Sequence, residues 1–313
     1  MNEILVGDAI EKLREMPQFS VQCCVTSPPY WGLRDYGIAG QIGLERHPHE
    51  YVEKMVAVFR EVRRVLRDDG TLWLNLGDSY ARNGGESGGE NRELLHMDGA
   101  QRRMTSIPEG SGLKPKDLVG MPWRVAFALQ SDGWFLRSDI IWSKPNPMPE
   151  SVTDRPTKAH EYLFLMSKGD RYLYDSDAIR EPYADATFDR IAYGCDSTEE
   201  RLQRHQPGAK ERKDPKYQKL NAKGRNRRTV WSIPTEPFSE AHFATFPEKL
   251  VEPCILAGAP AGAVVLDPFM GAGTVALVAL KAGRQFIGVE LNPEYAKIAE
   301  ARIWQEKNQS RLA

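Results

Sequence analysis

Five consecutive residues near the start of the chain, Thr26 to Tyr30, have the make-up of a pocket for an amino group. The exocyclic amino group of cytosine or adenine is a poor nucleophile because its lone pair is delocalised into the ring. It therefore needs acceptors for its two N–H bonds. The Ser27 hydroxyl and the Pro28 carbonyl are such acceptors, and the rigidity of Pro28 and Pro29 fixes where that carbonyl points. Tyr30 offers a ring on which a base extruded from a duplex could stack. The predicted catalytic residues are Ser27, Pro28, Pro29 and Tyr30.

A second segment near the other end, Asp267 to Thr274, predicts a tight turn between a strand and a helix. Gly271 and Gly273 stand where the backbone must turn and where a ligand can approach without meeting a β-carbon. Glu290, at the end of the next predicted strand, can accept hydrogen bonds from both hydroxyls of a ribose. The segment thus predicts a site for a cofactor that contains adenosine.

The glycines alone do not distinguish two such cofactors. The spacing Gly271-x-Gly273-x-x-Ala276 also fits the dinucleotide fingerprint of NAD. The segment Asp267 to Phe269 separates them, because an acidic group there would repel a pyrophosphate but suits the ammonium group of S-adenosylmethionine. The sequence therefore favours S-adenosylmethionine over a dinucleotide and over a purely structural turn.

Apolar periodicity between the two segments predicts alternating strands and helices. Such an alternation implies an α/β fold, with a mostly parallel, doubly wound sheet covered by helices on both faces. The predicted strands are Glu3 to Val6, Val21 to Val25, Thr71 to Leu76, Phe135 to Trp142, Tyr162 to Met166, Ala263 to Leu266 and Phe286 to Glu290. The predicted helices are Gly7 to Met16, His49 to Leu66, Leu118 to Gln130, Gly273 to Ala282 and Pro293 to Gln305.

The composition excludes several classes of protein. The 313 residues carry a formal net charge of -1 and are 41% hydrophobic. No uninterrupted apolar run approaches the roughly 20 residues that span a bilayer. The four cysteines and six histidines lack the spacing of a metal site. The sequence therefore predicts a cytoplasmic protein with reduced cysteines, no bound metal and no contact with a membrane.

The near-neutral net charge hides one strongly basic segment. Between Arg201 and Arg228, eleven basic residues outnumber two acidic ones. Such a segment can neutralise phosphates and bind a polyanion, although a solvated charged loop is the alternative. Its last three arginines, Arg225, Arg227 and Arg228, are predicted to bind DNA.

The order of these motifs resembles that of the beta-type amino-directed DNA methyltransferases. In that family the catalytic Ser-Pro-Pro-Tyr motif precedes the target-recognition region, and the glycine motif comes last. The resemblance covers nearly the whole chain, including Gly7-Asp8-Ala9, Trp142 to Pro147, His160-Glu161 and His242 to Leu250. It implies the S-adenosylmethionine-dependent methyltransferase fold, circularly permuted, with an inserted target-recognition region.

The resemblance also implies which residues surround the ligands. The Gly7 to Ala9 segment would contact the adenine of the cofactor, and Glu290 would hold its ribose. The implied cofactor-binding residues are Asp8, Ala9, Thr26, Phe246, Asp267, Pro268, Phe269, Gly271, Gly273, Thr274, Glu290 and Asn292. The implied DNA-binding residues are Lys144, Arg225, Arg227 and Arg228.

The same resemblance implies partners and regions. The partners are double-stranded DNA and a cognate restriction endonuclease acting on the same site, and the assembly is a homodimer. The predicted regions are a catalytic part at 1–80, a mobile loop at 81–112, a continuation of the methyltransferase domain at 113–170, a target-recognition region at 171–230 and a cofactor-binding part at 231–313.

The target base and the reaction class leave alternatives. Serine at position 27 resembles the cytosine-N4 enzymes, whereas most adenine-N6 enzymes carry aspartate or asparagine there, so cytosine is favoured over adenine. Methylation of cytosine carbon 5 needs a cysteine beside a proline, but Pro253-Cys254 lies in a helix-like run that favours a buried structural cysteine. A catalytically silent nucleic-acid-binding protein and a methyltransferase acting on RNA or protein glutamine are further alternatives. The intact motifs and the basic insert favour DNA.

Overall fold

The computed structural model describes residues 2–81, 107–184, 221–236 and 246–312. It divides into two compact units. The first unit is the chain up to Tyr174 together with the chain from Thr229 onward, and the second unit is Asp175–Arg228. Over the described ranges, no helix is both long enough and apolar enough to cross a lipid bilayer.

The first unit is built on one mixed sheet. The strands that the structure describes are β1 (Asn2–Val6), β2 (Val21–Thr26), β3 (Leu66–Leu76), β4 (Phe135–Ser143), β5 (His160–Ser167), β6 (Val230–Ser232), β7 (Val264–Asp267) and β8 (Gln285–Glu290). Their order in the sheet is β1-β8-β7-β2-β3-β5-β4-β6. β5 runs antiparallel to β3 and β4, and the other neighbours pair in parallel. The prediction of a mostly parallel sheet is confirmed.

Helices cover both faces of this sheet. The described helices are α1 (Ala9–Glu15), α2 (Pro48–Val65), α3 (Met121–Ser131), α4 (Glu248–Gly258), α5 (Thr274–Lys281) and α6 (Pro293–Leu312). α2 packs against α1 and α3, whereas α5 packs against α4 and α6. The α2 layer buries Tyr51 and Phe59 completely against Leu72 and Leu74 of β3. Burial of this apolar surface is the main force that holds the layers on the sheet.

Among the differences from the prediction, two boundaries and one short strand have local physical reasons. α3 begins at Met121 rather than Leu118 because Gly120 takes a φ of 72°. The Asp78 carboxylate accepts the N–H groups of Gly120 and Met121, both at 3.0 Å, and so caps the helix there. β3 begins five residues early, at Leu66, because that residue pairs with β2. β6 was not predicted, since its three residues carry too little pattern.

The position of β2 in the sheet decides where the motifs meet. β2 lies between β3 and β7 and runs parallel to both. Parallel strands end at the same edge of a sheet, which is where α/β proteins place their ligands. The segment after β2 and the turn after β7 are therefore neighbours, although Thr26 and Asp267 are 241 positions apart in sequence.

Candidate active site

The turn after β7 is held in one conformation by glycines and backbone hydrogen bonds. Gly271 and Gly273 take φ values of 51° and 81°, in the left-handed region that favours glycine. The Met270 N–H donates to the Val289 carbonyl at 2.8 Å, and the Gly273 N–H donates to the Met270 carbonyl at 2.9 Å. A β-carbon on Gly273 would lie 2.9 Å from the Ala299 β-carbon, so α6 leaves no space for one.

The Glu290 carboxylate supports this turn from β8. One of its oxygens accepts the Gly271 N–H at 2.8 Å, and the other accepts the Asn292 N–H at 2.8 Å. Burial raises the pKa of Glu290 despite these bonds. Each oxygen has a further lone pair, so the fixed carboxylate can also accept the hydroxyls of a ribose.

The Asp267 carboxylate is almost completely buried at the end of β7, with an exposed fraction of 2%. Oδ1 accepts the Thr26 hydroxyl at 2.7 Å and the Phe269 N–H at 3.0 Å. Oδ2 has no hydrogen-bond partner among the described residues. Burial raises the pKa of Asp267 to about 7. A buried acceptor of this kind suits a cationic ammonium group and disfavours a pyrophosphate, as the sequence predicted.

One cavity lies above the turn, and most of the predicted cofactor residues line it. They are Asp8, Ala9, Phe246, Pro268, Phe269, Gly271, Thr274, Glu290 and Asn292. Thr26, Asp267 and Gly273 are not among its lining residues and instead hold the turn beneath it. Asp8 has a second role, because its Oδ1 accepts the Ile10 and Glu11 N–H groups at the start of α1.

The cavity has a further wall, formed by a loop and by one residue of α6. Arg34, Tyr36 and Gln41, from the loop after the catalytic motif, line it together with Tyr295 of α6. Gln41 fixes this loop because its side chain accepts the Tyr36 N–H at 2.7 Å and donates to the Arg34 carbonyl at 3.1 Å. The Tyr36 and Tyr295 rings meet edge to face, with centroids 6.4 Å apart. No periodicity or motif in the sequence signals this loop.

The catalytic motif lies on the other side of the same cavity. Ser27 and Pro29 line it directly. The Ser27 hydroxyl donates to Asn75 Oδ1 of β3 at 3.1 Å, which leaves the lone pairs of Ser27 Oγ as acceptors. The buried Tyr51 hydroxyl donates to the Pro29 carbonyl at 2.8 Å and so fixes the proline pair from α2. The structure thus brings the Ser27 hydroxyl, one of the two predicted acceptors, to the predicted cofactor cavity, whereas Pro28 is not one of its lining residues.

Tyr30 is anchored through its hydroxyl. The hydroxyl donates to Glu161 Oε2 of β5 at 2.7 Å and lies 3.1 Å from Asn75 Oδ1 and 3.3 Å from Ser27 Oγ. Burial and then the Glu161 carboxylate raise the pKa of this phenol well above its usual range. The ring passes over Gly77, where a β-carbon would lie 2.6 Å from Tyr30 Cε2. Asn75 and Gly77 are functional candidates that the sequence did not reveal.

The predicted DNA-binding residues lie in two places. Lys144 forms an ion pair with Glu161, and both side chains are largely buried. In the second unit, Arg225 and Arg228 share one oxygen of Glu181, at 3.3 and 3.1 Å. DNA contact by these residues and by Arg227 stays a prediction. Positions 201–220 of the basic segment, the segments 82–106 and 237–245, and Cys195 lie outside the described residues.

The sequence raised two other chemistries, methylation of cytosine carbon 5 through Cys254 and metal binding. Cys254 lies inside α4, completely buried, and its thiol donates to the Leu250 carbonyl at 3.2 Å. It is not one of the residues that line the cavity. Among the described residues, no three His, Cys, Asp or Glu side chains are grouped so as to hold a metal ion.

Comparison with known proteins shows the family and the fold. A family model described as DNA methylase, the N6/N4 methyltransferase family, matches residues 21–301. The chain belongs to this family. The predicted resemblance to amino-directed DNA methyltransferases is therefore confirmed.

Curated relatives of this methylase cover almost its whole length. It is 48% identical over 298 residues to the Type II methyltransferase M.Cfr9I of Citrobacter freundii, covering 95% of this chain and 86% of that protein. It is 47% identical over 302 residues to the Type II methyltransferase M.SmaI of Serratia marcescens, covering 96% and 90%. The chain is thus a Type II DNA methyltransferase of the N4/N6 family.

Solved structures confirm the fold. The TTHA0409 protein of Thermus thermophilus, solved in complex with S-adenosyl-L-methionine, aligns with a TM-score of 0.59 at 25% identity over 98% of this chain and 94% of that one. The cytosine-N4-specific PvuII DNA methyltransferase aligns with a TM-score of 0.63 at 20% identity, covering 99% and 92%. At that identity the second likeness concerns the fold alone. The methylase therefore has the S-adenosylmethionine-dependent methyltransferase fold.

Proposed function

We propose that the protein transfers a methyl group from S-adenosylmethionine to the N4 amino group of a cytosine extruded from duplex DNA. One observation carries this proposal. Ser27, in the segment that follows β2, lines the same cavity as the glycine turn and Glu290, and Pro28 is the next residue along the chain. A base held by these acceptors lies next to a cofactor held by that turn.

The residues of the cavity fit S-adenosylmethionine. Glu290 offers two fixed carboxylate oxygens for ribose hydroxyls, and beneath the cavity Asp267 holds a buried carboxylate oxygen without a hydrogen-bond partner among the described residues, which would attract an ammonium group. The aromatic residues Tyr36, Phe246 and Phe269 provide apolar walls. When bound there, S-adenosylmethionine supplies a methyl group on a cationic sulfur.

The residues of the motif prepare the amino nitrogen to accept that methyl group. Ser27 Oγ and the Pro28 carbonyl each accept one N–H bond, which draws the amino lone pair out of conjugation with the ring. Asn75 holds the Ser27 hydroxyl hydrogen, and Tyr51 holds the adjacent Pro29 carbonyl. The enzyme thus contributes orientation and fixed dipoles, which supply most of the rate enhancement in such transfers. No covalent bond to the enzyme is needed.

The choice of cytosine rests on Ser27. A neutral hydroxyl at this position resembles the cytosine-N4 enzymes, and aspartate or asparagine is usual in the adenine-N6 enzymes. The hydroxyl is bonded to the neutral amide of Asn75 rather than to a carboxylate. The alternative target is the N6 amino group of adenine, and the experiment below distinguishes it from cytosine N4.

Duplex DNA is the proposed substrate because cations concentrate in the second unit. Arg180, Lys223, Arg225 and Arg228 surround two carboxylates there, Asp177 and Glu181. Cations held in this way can meet phosphates with little further loss of side-chain entropy. The proposal extends to a target-recognition role for this unit, to a restriction endonuclease that cuts the same site, and to a homodimer.

The methylated nucleoside tests the proposal directly. Mixed-sequence plasmid DNA is incubated with the protein and S-adenosylmethionine carrying an isotopically labelled methyl group, and the digest is resolved by mass spectrometry. The expected product is N4-methylcytosine. N6-methyladenine would replace cytosine by adenine as the target, whereas 5-methylcytosine or an absence of labelled nucleoside would overturn the proposal. Parallel incubations with RNA are expected to yield no label.

A further inference from the structure

We propose that Glu161 is the final acceptor of the proton that leaves the methylated amino group, reached through the hydroxyls of Ser27 and Tyr30. This assignment rests on the proposed transfer to an amino nitrogen. Glu161 acts through other residues and is therefore a positioning and proton-accepting group rather than a contact of the base. Its place in the structure gives it that role.

The reaction needs such a group. An amino nitrogen that gains a methyl group carries a positive charge until one of its N–H bonds breaks. The nearest polar atoms cannot keep the released proton, because Ser27 is a hydroxyl and Asn75 is a neutral amide. Glu161 is the first carboxylate along the chain of hydrogen bonds that begins at Ser27.

The hydrogen bonds form a continuous path. Ser27 Oγ lies 3.3 Å from the Tyr30 hydroxyl, and the Tyr30 hydroxyl donates to Glu161 Oε2 at 2.7 Å. The Ser27 hydrogen has two acceptors within reach, Asn75 Oδ1 at 3.1 Å and Tyr30. At rest the Ser27 hydrogen points to Asn75. A rotation about the Ser27 Cβ–Oγ bond directs it to the Tyr30 oxygen, as proton transfer requires.

The step balances when three protons move together. An N–H bond of the base breaks as a new O–H bond forms on Ser27 Oγ. The original Ser27 O–H bond breaks as a new bond forms on the Tyr30 oxygen, and the original Tyr30 O–H bond breaks as one forms on Glu161 Oε2. Both hydroxyls end neutral, the methylated base ends neutral, and the Glu161 carboxylate becomes a neutral acid. The positive charge that arrives with the methyl group thus leaves the base as a proton.

The environment of Tyr30 favours concerted movement. The Tyr30 phenol keeps its proton at rest, because burial and the adjacent carboxylate both raise its pKa. A free phenolate is therefore avoided, and Tyr30 passes a proton only as it receives one. Two cations also face Glu161: Lys144 is paired with Oε1, which leaves Oε2 to Tyr30, and the Lys158 ammonium interacts with the carboxylate electrostatically.

Lys144 keeps a partner after the transfer. Its ammonium lies 4.3 Å from the centroid of the Trp142 ring, a cation–π arrangement that persists when Glu161 becomes neutral. The exposed fractions of the Lys144 and Glu161 side chains are 18% and 15%, so water has little access to the pair.

Glu161→Gln and Tyr30→Phe together test the path. Glu161→Gln keeps the shape of the side chain and one acceptor oxygen, but the amide cannot hold the proton released by the base. Tyr30→Phe keeps the aromatic ring but removes the hydroxyl that connects Ser27 to Glu161. Each is expected to lower the single-turnover rate of methyl transfer by about 100-fold, a typical loss for a proton-transfer group. The double variant is expected to be no slower than either single variant, because both interrupt one path.

Further readouts separate this role from a structural one. Dissociation constants for S-adenosylmethionine and DNA are expected to stay near the wild-type values in both variants, and the solvent deuterium isotope effect on transfer is expected to fall. Glu161→Asp, which retains a carboxylate, is expected to transfer faster than Glu161→Gln. The matched control is Glu248→Gln, which breaks another Glu–Lys pair, with Lys281 at 2.7 Å, and is expected to leave the rate unchanged.

The results distinguish the assignment from the function on which it rests. Transfer at the wild-type rate in Glu161→Gln, or losses that multiply in the double variant, would overturn the assignment while leaving the proposed function intact. Equal rates in Glu161→Asp and Glu161→Gln would overturn it as well. A wild-type protein that forms no N-methylated nucleoside would overturn the proposed function itself.

Discussion

The active site has a cofactor half, formed by the turn from Asp267 to Thr274 with Glu290, and a target half, formed by Ser27 to Tyr30 with Asn75 and Glu161. The two halves are held together by different kinds of contact. In the cofactor half, Asp267 and Glu290 bond to backbone groups only 2 to 19 positions away, and the turn is one continuous segment. In the target half, Ser27 bonds to a residue 48 positions away and Tyr30 to one 131 positions away. The turn of the first half is held mainly by backbone groups of β7, β8 and the turn itself, whereas the second exists only when β2, β3 and β5 are paired.

This difference predicts which substitutions affect cofactor binding and which affect methyl transfer. A substitution in the turn alters the frame that holds the cofactor. A substitution among the side chains that meet at the end of β2 alters how the base is held and leaves that frame in place. The two halves touch at the hydrogen bond from Thr26 to Asp267, 2.7 Å long.

The sharpest test of the target half is Ser27→Ala. It removes one of the two acceptors of the amino group, so the single-turnover rate of methyl transfer is expected to fall by about 100-fold to 10,000-fold. Ser27 is assigned to the base, so its loss removes no hydrogen bond to the cofactor. The dissociation constant of S-adenosylmethionine, measured by calorimetry, is therefore expected to stay within about twofold of wild type, a change smaller than a typical hydrogen-bond contribution. Ser20→Ala, in the turn before β2, is the matched control, since that hydroxyl is exposed and donates to the nearby Pro17 carbonyl at 2.8 Å. A parallel loss of cofactor affinity in Ser27→Ala would contradict the division into halves.

The corresponding test of the cofactor half is Glu290→Gln. In glutamine one of the two carboxylate oxygens is replaced by an NH2 donor, so either the Gly271 or the Asn292 N–H group loses the oxygen that accepts it. The affinity for S-adenosylmethionine is expected to fall by about tenfold to 100-fold, since a hydrogen bond to a charged group contributes roughly 1.5 to 3 kcal/mol. Transfer at saturating cofactor is expected to stay near wild type, as it should in the control Glu294→Gln, whose exposed side chain pairs with Lys297. Unchanged affinity in Glu290→Gln would remove this residue from the site.

A smaller effect is expected from Gly77→Ala, which acts on the target half by crowding alone. The new β-carbon would lie 2.6 Å from Tyr30 Cε2 and 3.4 Å from Glu161 Cδ, so the Tyr30 ring must move. We expect the transfer rate to fall by roughly tenfold, equivalent to about 1.4 kcal/mol in the barrier. Gly169→Ala is the control, because the nearest atom to its β-carbon would be 3.6 Å away. Equal rates in the two variants would show that the position of Tyr30 does not matter.

The last effect concerns stability rather than activity, and it belongs to the cofactor half. Asp267 has a folded-state pKa of about 7 against an ordinary value of 3.8, so between these values the folded chain holds a proton that the unfolded chain lacks. The free energy of unfolding is therefore expected to fall as pH rises through this window and to level off above pH 7. Urea denaturation of the protein without cofactor should show a smaller pH dependence in Asp267→Asn. An unchanged dependence would mean that other groups, such as Glu290, cause it.

The same contrast explains what the sequence could predict. The strands and the glycine turn follow from periodicity and from adjacent residues, so their places were predicted to within a few positions. The bond between Tyr30 and Glu161 depends on the antiparallel insertion of β5 beside β3, which no local pattern encodes. The wall formed by Arg34 to Gln41 depends on one buried glutamine that bonds to backbone. Local conformation is readable from sequence, whereas contacts set by strand order are not.

The most direct test of the central claim changes the substrate rather than the enzyme. Once the methylated position is mapped, a duplex is made in which 2-pyrimidinone replaces the target cytosine, so that hydrogen stands in place of the amino group. We predict that this duplex binds the protein with S-adenosylmethionine present but receives no labelled methyl group. Methylation of the modified base would show that the acceptor is not the amino nitrogen, and would contradict the roles given to Ser27 and Pro28.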